Sequence, residues 1–277
     1  MARARPPSPS VLCLGGLDPT GGAGLAADVR AGVGLGMHVV PVATCIAVQD
    51  GTGVESLVPV PGPAVRAAAR AGIRDRWIGA VKVGAVGRRE AAEALLDLAR
   101  AMPGIPWVID PVSSASAGGT LTEPAALEIV RTALARYAAV VTPNLPELAS
   151  WTGAPVADEA SALRAARAVL RAGAGAVCVT GGHGADPATV RDLVVTPSSA
   201  VRIEHPRIAG TDPRGTGCTF ATAVAAALAR DRDPVDACVA AAAYLDAALR
   251  VAPGSPILGV PRDAHAARKR MRVSRIP

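Results

Sequence analysis

Apolar runs alternate with segments of helical character along the chain. Residues 10–16 (SVLCLGG) are apolar throughout and predict a strand buried on both faces. AGLAADVRAGVGLG (23–36) predicts a helix ended by glycine, and HVVPVATCIAVQ (38–49) a second strand. The pattern continues with helices over 62–75, 88–102, 123–137 and 158–173, and with strands over 78–86, 107–112, 138–144 and 175–182. VRDLVVT and AVRIEHPRI follow as an antiparallel pair, and two long helical stretches, 216–230 and 234–251, come next.

Strands alternating with helices of this length predict an α/β fold, with a mostly parallel sheet covered on both faces. In such folds ligands sit beyond the carboxyl ends of the strands. Glycine and polar residues stand there: GGLDPTGGAG, QDGTG, GAVGR, DPVSSASAGG, TPNLPE, TGGHG and GTGC. No internal repeat or long linker interrupts the series, so one domain over 11–252 is expected, with basic, mobile tails at 1–10 and 262–277.

Composition narrows the function. Half of the 277 residues are hydrophobic, which excludes a disordered chain. The net charge of +6 is misleading. Arg3 and Arg5 lie at one end, and Arg262, Arg268, Lys269, Arg270, Arg272 and Arg275, against Asp263, at the other; the body between them is one unit negative. With only six aromatic residues as well, a nucleic-acid surface is not expected. There is no apolar run of about 18 residues and no signal-peptide pattern, so a soluble cytoplasmic protein is expected. The five cysteines are scattered without C-x-x-C spacing, against a zinc site or disulfide framework; four lie in apolar stretches and read as small buried hydrophobes.

The fifth, Cys218, follows the turn Gly215-Thr216-Gly217 at the head of an alanine-rich helix. The first N–H groups of a helix have no partner within it, and with the helix dipole they form an anion site. Glycines let an anion approach the backbone, and a cysteine at that end is expected to have a lowered pKa. Such a turn holds a phosphoryl group beside a proton-accepting thiolate; the plainer alternative is a helix cap with a buried thiol. Asp110 stands at the end of one predicted strand, and Asn144 and Glu147 at and after the end of another, where carboxylates suit Mg²⁺ bridging to substrate phosphates, or simply cap turns and helices. Neither G-x-x-x-x-G-K-[ST] nor G-x-G-x-x-G occurs, and the only lysines are Lys82 and Lys269. The parts point to phosphoryl transfer, which needs mainly positioning and charge neutralisation.

Taken together, GGLDPTGGAGLAAD, VQDGTGV, VKVGAVG, DPV, VTPNLPELASWTG, GGH and GTGCTFATAVAAALA resemble the hydroxymethylpyrimidine and phosphomethylpyrimidine kinases of thiamine biosynthesis, in the ribokinase-like superfamily. The resemblance runs from about residue 11 to 252. It implies a three-layer α/β/α sandwich and ATP-dependent phosphorylation of 4-amino-5-hydroxymethyl-2-methylpyrimidine and then of its monophosphate, with Mg²⁺. A homodimer is implied too. Carried over by residue, Gly16, Asp28, Gln49, Ala85 and Val112 would line the pyrimidine, with Asp28 facing the ring nitrogen and exocyclic amine. Cys218 would be the base, and Gly215, Thr216 and Gly217 the anion hole. Asn144, Glu147, Thr180, Gly182 and Arg214 would serve the nucleotide, and Asp110 and Glu147 the metal. Lys82 would lie with its amine at the surface or at the site, and His183 in a turn near the nucleotide.

Three positions depart from the family pattern. Ala85 replaces a common methionine, Thr180 a common lysine, and the SSASAGG loop around Ser116 lacks another lysine. Arg214 is the candidate to replace one lost cation. The alternatives are a pyridoxal-type vitamin kinase and a non-catalytic pyrimidine-binding or regulatory protein of the same fold.

Overall fold

The computed structural model describes residues 9–50, 53–74, 76–115, 118–208, 213–251 and 253–276. The first strand, β1 (Ser10–Leu17), is buried at every position but its last. Successive side chains point to opposite faces. Leu12 and Leu14 therefore join one core and Val11 and Cys13 another on the far side of the sheet. The other strands are β2 (His38–Gln49), β3 (Val54–Pro59), β4 (Ile78–Val83), β5 (Trp107–Ile109), β6 (Ala138–Val141), β7 (Val177–Val179), β8 (Thr189–Val195), β9 (Ala200–Pro206) and β10 (Arg272–Ile276). They form one sheet in the order β10-β9-β8-β7-β6-β5-β4-β1-β2-β3. From β7 to β2 every pairing is parallel; β3, β8, β9 and β10 add antiparallel margins.

The helices make the outer layers. On one face lie α2 (Gly62–Ile73), α3 (Arg89–Ala101), α4 (Pro124–Thr132), α5 (Leu145–Thr152) and α6 (Glu159–Arg171), packed over Leu12, Leu14, Val81, Val83, Ile109 and Val141. On the other lie α1 (Gly24–Gly34), α7 (Thr216–Leu228) and α8 (Pro234–Val251). Helix α7 is buried without a break from Thr219 to Leu228. Its alanines let it sit between α1, α8 and the sheet, and a helix apolar on all sides belongs there.

Strand order reverses at β1: the chain steps outward to β2 on one side, then returns to β4 on the other. Ligands bind in such sheets beyond the carboxyl ends of the strands at the switch point, here β1 and β4.

Several expectations needed correction. The helix expected over 123–137 ends at Thr132, and Leu134–Tyr137 continues as a 3₁₀ turn. Helix α5 and edge strand β3 were not foreseen. The tail at 262–277, expected to be mobile, carries α9 (His265–Arg268) and β10, which pairs with β9. Its charges explain this. Asp246 of α8 is buried, and Arg250 of the same helix and Arg270 of the tail both donate to its carboxylate. The basic tail is thus the counter-charge of a buried acid. The N-terminal tail, up to residue 8, lies outside the described residues, as does Ser116.

Candidate active site

The loop between β1 and α1 is organised by Asp18. Its Oδ1 accepts from the Thr20 amide at 3.0 Å and the Thr20 hydroxyl at 2.8 Å, and its Oδ2 from the Ala23 amide at 2.8 Å. The loop then folds back on its own strand. Gly24 has φ +56°, and a Cβ there would lie 2.2 Å from the Gly16 carbonyl, so only glycine fits.

The glycine turn before α7 packs on this loop. Gly215 has φ +82°, and a Cβ would come within 2.4 Å of the Gly22 carbonyl. The first glycine of the turn is therefore set by close approach to the Asp18 loop. Gly215 is the N-cap, and the N–H groups of Thr216, Gly217 and Cys218 have no acceptor within the helix. No acidic side chain stands in the first turn to neutralise that end.

Beneath the turn lies a buried group of charges. Lys82 of β4 is fully buried, and its Nζ donates to Asp28 of α1 at 2.9 and 3.0 Å. The Thr222 hydroxyl of α7 donates to the same carboxylate at 2.8 Å. Burial opposes a charge on Lys82, but the Asp28 carboxylate bonded to it outweighs burial and keeps the amine protonated. Asp110, just beyond β5, accepts from the Thr142 hydroxyl, and its Oδ2 lies 3.7 Å from where a Cβ of Gly217 would be. Burial lifts Asp110 to about 6 against the pull of Lys82. Burial, reinforced by Asp110, lifts Glu147 to about 8. Cys218 does not have the lowered pKa expected from its helix position. Burial pushes its thiol up to about 12; Lys82 opposes this, but Asp28 and Asp110 reinforce it.

The remaining candidates fall around this centre. Gly16 is held close to Cys45 and Ala85: a Cβ on it would lie 3.2 Å from the Cys45 sulfur and 3.5 Å from the Ala85 Cβ. Thr122, which the sequence did not single out, donates to the Val112 carbonyl at 2.6 Å and accepts from the Val86 amide at 3.1 Å. It therefore clamps the loops after β4 and β5 together. Gln49 ends β2, and its side chain bonds Asp18. Asn144 and Glu147 form a reciprocal cap on α5: the Glu147 amide donates to Asn144 at 2.8 Å and the Asn144 amide to Glu147 at 2.9 Å. Their capping role is thus real, and it also fixes the Glu147 carboxylate near Asp110. Thr180 bridges to Asn144 across the strand ends. Gly182 and His183 are exposed. The turn they belong to is held by Arg207, which donates to the carbonyls of Gly182, Asp186 and Gly184, and by Asp192, which accepts from the Gly181 amide. Neither Arg207 nor Asp192 carried a motif signal.

Three expected placements are corrected. Asp28 does not face an open ring pocket, because it is sealed from solvent and both of its oxygens are bonded to Lys82. Lys82 has its amine at neither the surface nor the open site; it forms the floor. Arg214 is not a free phosphate-binding cation, because its guanidinium already donates to Asp18, Thr20 and the Asp50 carbonyl.

A largely parallel sheet whose order reverses at β1, a glycine-led helix N-terminus beside Asp110 and acids at neighbouring strand ends define a ribokinase-like α/β fold. The family model for phosphomethylpyrimidine kinase matches residues 18–258, and the chain belongs to that family. It is 39% identical to the hydroxymethylpyrimidine/phosphomethylpyrimidine kinase of Streptomyces coelicolor over 251 residues, covering 91% of each chain. It is 40% identical to the enzyme of the same name from Rhizobium meliloti over 242 residues, 87% of this chain and 90% of that one. Among solved structures, pyridoxal kinase from Staphylococcus aureus in complex with AMP-PCP and pyridoxal superposes with a TM-score of 0.84 at 24% identity, over 98% of this chain and 100% of that one. Phosphomethylpyrimidine kinase from Clostridium difficile superposes with a TM-score of 0.75 at 25% identity, over 86% and 98%.

Proposed function

We propose that this protein transfers the γ-phosphoryl group of ATP to 4-amino-5-hydroxymethyl-2-methylpyrimidine and then to its monophosphate. One observation carries the reading: the N-terminus of α7, with no acid in its own first turn and Cys218 within it, stands beside Asp110 near the switch point of the sheet. The acceptor oxygen attacks the γ-phosphorus, the bond to the ADP oxygen breaks, and the N–H groups of Thr216, Gly217 and Cys218 hold the charge on the transferred group. Gly16, Ala85 and Val112 border the acceptor, with Gln49 at its edge. Asn144, Thr180 and the Gly182 turn border the nucleotide.

Asp110, buried, and Glu147, half-buried and pushed up by burial and then by the Asp110 charge, offer hard oxygen ligands, a donor set that fits Mg²⁺. When bound, the ion supplies charge neutralisation to the ATP phosphates. Cys218 receives the acceptor proton. A thiol held up at about 12 is protonated at neutral pH, so substrate binding must lower it for this role. The specific alternative is that Cys218 stays a thiol and the proton leaves on the phosphoryl oxygens, since the loose transition state needs little base.

The test is a coupled ATP-consumption assay offering the pyrimidine, its monophosphate and pyridoxal to wild type and Cys218→Ala. Turnover on the pyrimidines that falls at least about 100-fold in the variant supports the base role. Turnover kept within about tenfold transfers the proton to the phosphoryl group. Turnover on pyridoxal alone, or on nothing, refutes the assignment.

The assembly we propose is a homodimer in the cytoplasm. Leu17, Ile46 and Val58 lie opposite one another across β1, β2 and β3 and are exposed, leaving an apolar row on this margin of the sheet. A second copy would cover it. Loss of the dimer in Ile46→Lys, read by analytical ultracentrifugation, is the expected result, and a monomeric wild type would refute it.

A further inference from the structure

Arg214 occupies a junction of four segments. Its main chain is tied to residues 256–257: the amide donates to the Pro256 carbonyl, and the residue bridges to Ile257. Its side chain reaches the other way. One terminal nitrogen donates to Asp18 Oδ2 at 2.9 Å; the other donates to the Asp50 carbonyl at 2.9 Å and the Thr20 hydroxyl at 3.3 Å. Asp18 is itself buried, and it is held ionised: burial raises its pKa, but hydrogen bonds from Thr20, Gln49 and Ala23 outweigh burial and bring it below the usual carboxylate range.

Resting on the function proposed above, the geometry points to the Asp18–Arg214 pair as a positioning strut that sets the distance between the acceptor loops and the phosphoryl turn. One end of the strut is the loop that follows Gly16 at the end of β1 and, through its bond to Asp18, holds Gln49. The other end is the residue immediately before Gly215. Phosphoryl transfer depends on in-line placement of the two reactants, and small displacements of either are costly. An always charged guanidinium reaches three acceptors from two nitrogens held in a fixed fork, which the single nitrogen of a lysine does not offer. Arg214 therefore acts through the loops and does not touch the phosphates.

Two measurements on the full chain test this. The first needs no activity: hydrogen–deuterium exchange of wild type, Arg214→Ala, Arg214→Lys and Asp18→Asn. A strut predicts reciprocity. Arg214→Ala speeds exchange in residues 18–24, Asp18→Asn speeds it in residues 214–218, and Arg214→Lys falls between. Exchange unchanged in the partner segment overturns the strut whether or not the protein is a kinase. The second is steady-state kinetics with the same variants and the Asp18→Asn/Arg214→Ala double variant. Each single change should lower kcat about tenfold or more with the KM for ATP within about twofold, and the double should be no worse than the poorer single. A raised KM for ATP in Arg214→Ala alone, with Asp18→Asn unaffected, would instead make Arg214 a phosphate ligand. Absence of turnover in wild type would remove the kinase reading and leave the exchange result to decide the strut.

Discussion

Replacing Lys82 with methionine isolates the most exposed weakness of this fold, a charge pair with no water around it. Both side chains are fully buried, and Lys82 supplies both of the 2.9–3.0 Å bonds that balance Asp28. Methionine nearly matches the lysine stem, so little cavity forms; what remains is a carboxylate with only the Thr222 hydroxyl as partner. Removing one member of a buried pair costs about 3–5 kcal/mol, because the survivor is left buried and uncompensated. For a chain of this size a loss of 1 kcal/mol lowers Tm by roughly 2–4 °C, so Lys82→Met should melt roughly 6–20 °C below wild type at pH 7. The decisive comparison is Asp28→Asn/Lys82→Met. With both charges gone and an amide still facing Thr222, the double variant should return to within about 2 kcal/mol of wild type. The assay is reversible thermal or urea unfolding followed by circular dichroism. A single variant that loses less than about 1 kcal/mol, or a double variant no better than the single, would refute the view that Asp28 needs Lys82 as its counter-charge.

Two further perturbations test other contacts. Gly215→Ala must place a Cβ 2.4 Å from the Gly22 carbonyl at φ +82°, so the turn has to move; kcat should fall on the order of 100-fold, and a variant within twofold of wild type would show that the turn tolerates displacement. Arg270→Ala should unfasten the C-terminal segment from Asp246, at roughly 1 kcal/mol at neutral pH, since Arg250 remains and Arg270 is partly exposed. Burial works against the charge on Asp246, but bonds from Arg250 and Arg270 hold its carboxyl below the usual range. A carboxyl depressed in the folded state stabilises above its unfolded value, about 4, and loses that stabilisation as pH falls through the folded value. The wild-type advantage over Arg270→Ala should therefore shrink as pH drops below about 4; an advantage that grows in acid would contradict the pairing.

How much was legible follows from what each signal depends on. The alternation of buried strands with helices is local, and the strands β1, β2, β4 and β6 fall close to where the pattern put them. Strand β3 was hidden because VESLVP is half exposed at an edge. Helix α5 was hidden because its cap, Asn144 with Glu147, also reads as a turn. The tail was misread because its charges look solvated until the buried partner of Arg270, Asp246, 24 residues earlier, is known. Arg214 looked available for phosphate because a sequence does not show that Asp18, 196 positions away, already holds it.

By itself the sequence determined the α/β class, the glycine turn before α7 and the set of polar strand ends, because periodicity, φ > 0 and helix-end chemistry are properties of neighbouring residues. Tertiary structure alone decided the protonation and pairing of what stands there. Whether Cys218 is a thiol or thiolate, whether Lys82 is floor or ligand, and whether Arg214 is a brace or a phosphate ligand all depend on burial and on charges brought from distant strands and helices, which act through space and leave no mark on spacing along the chain.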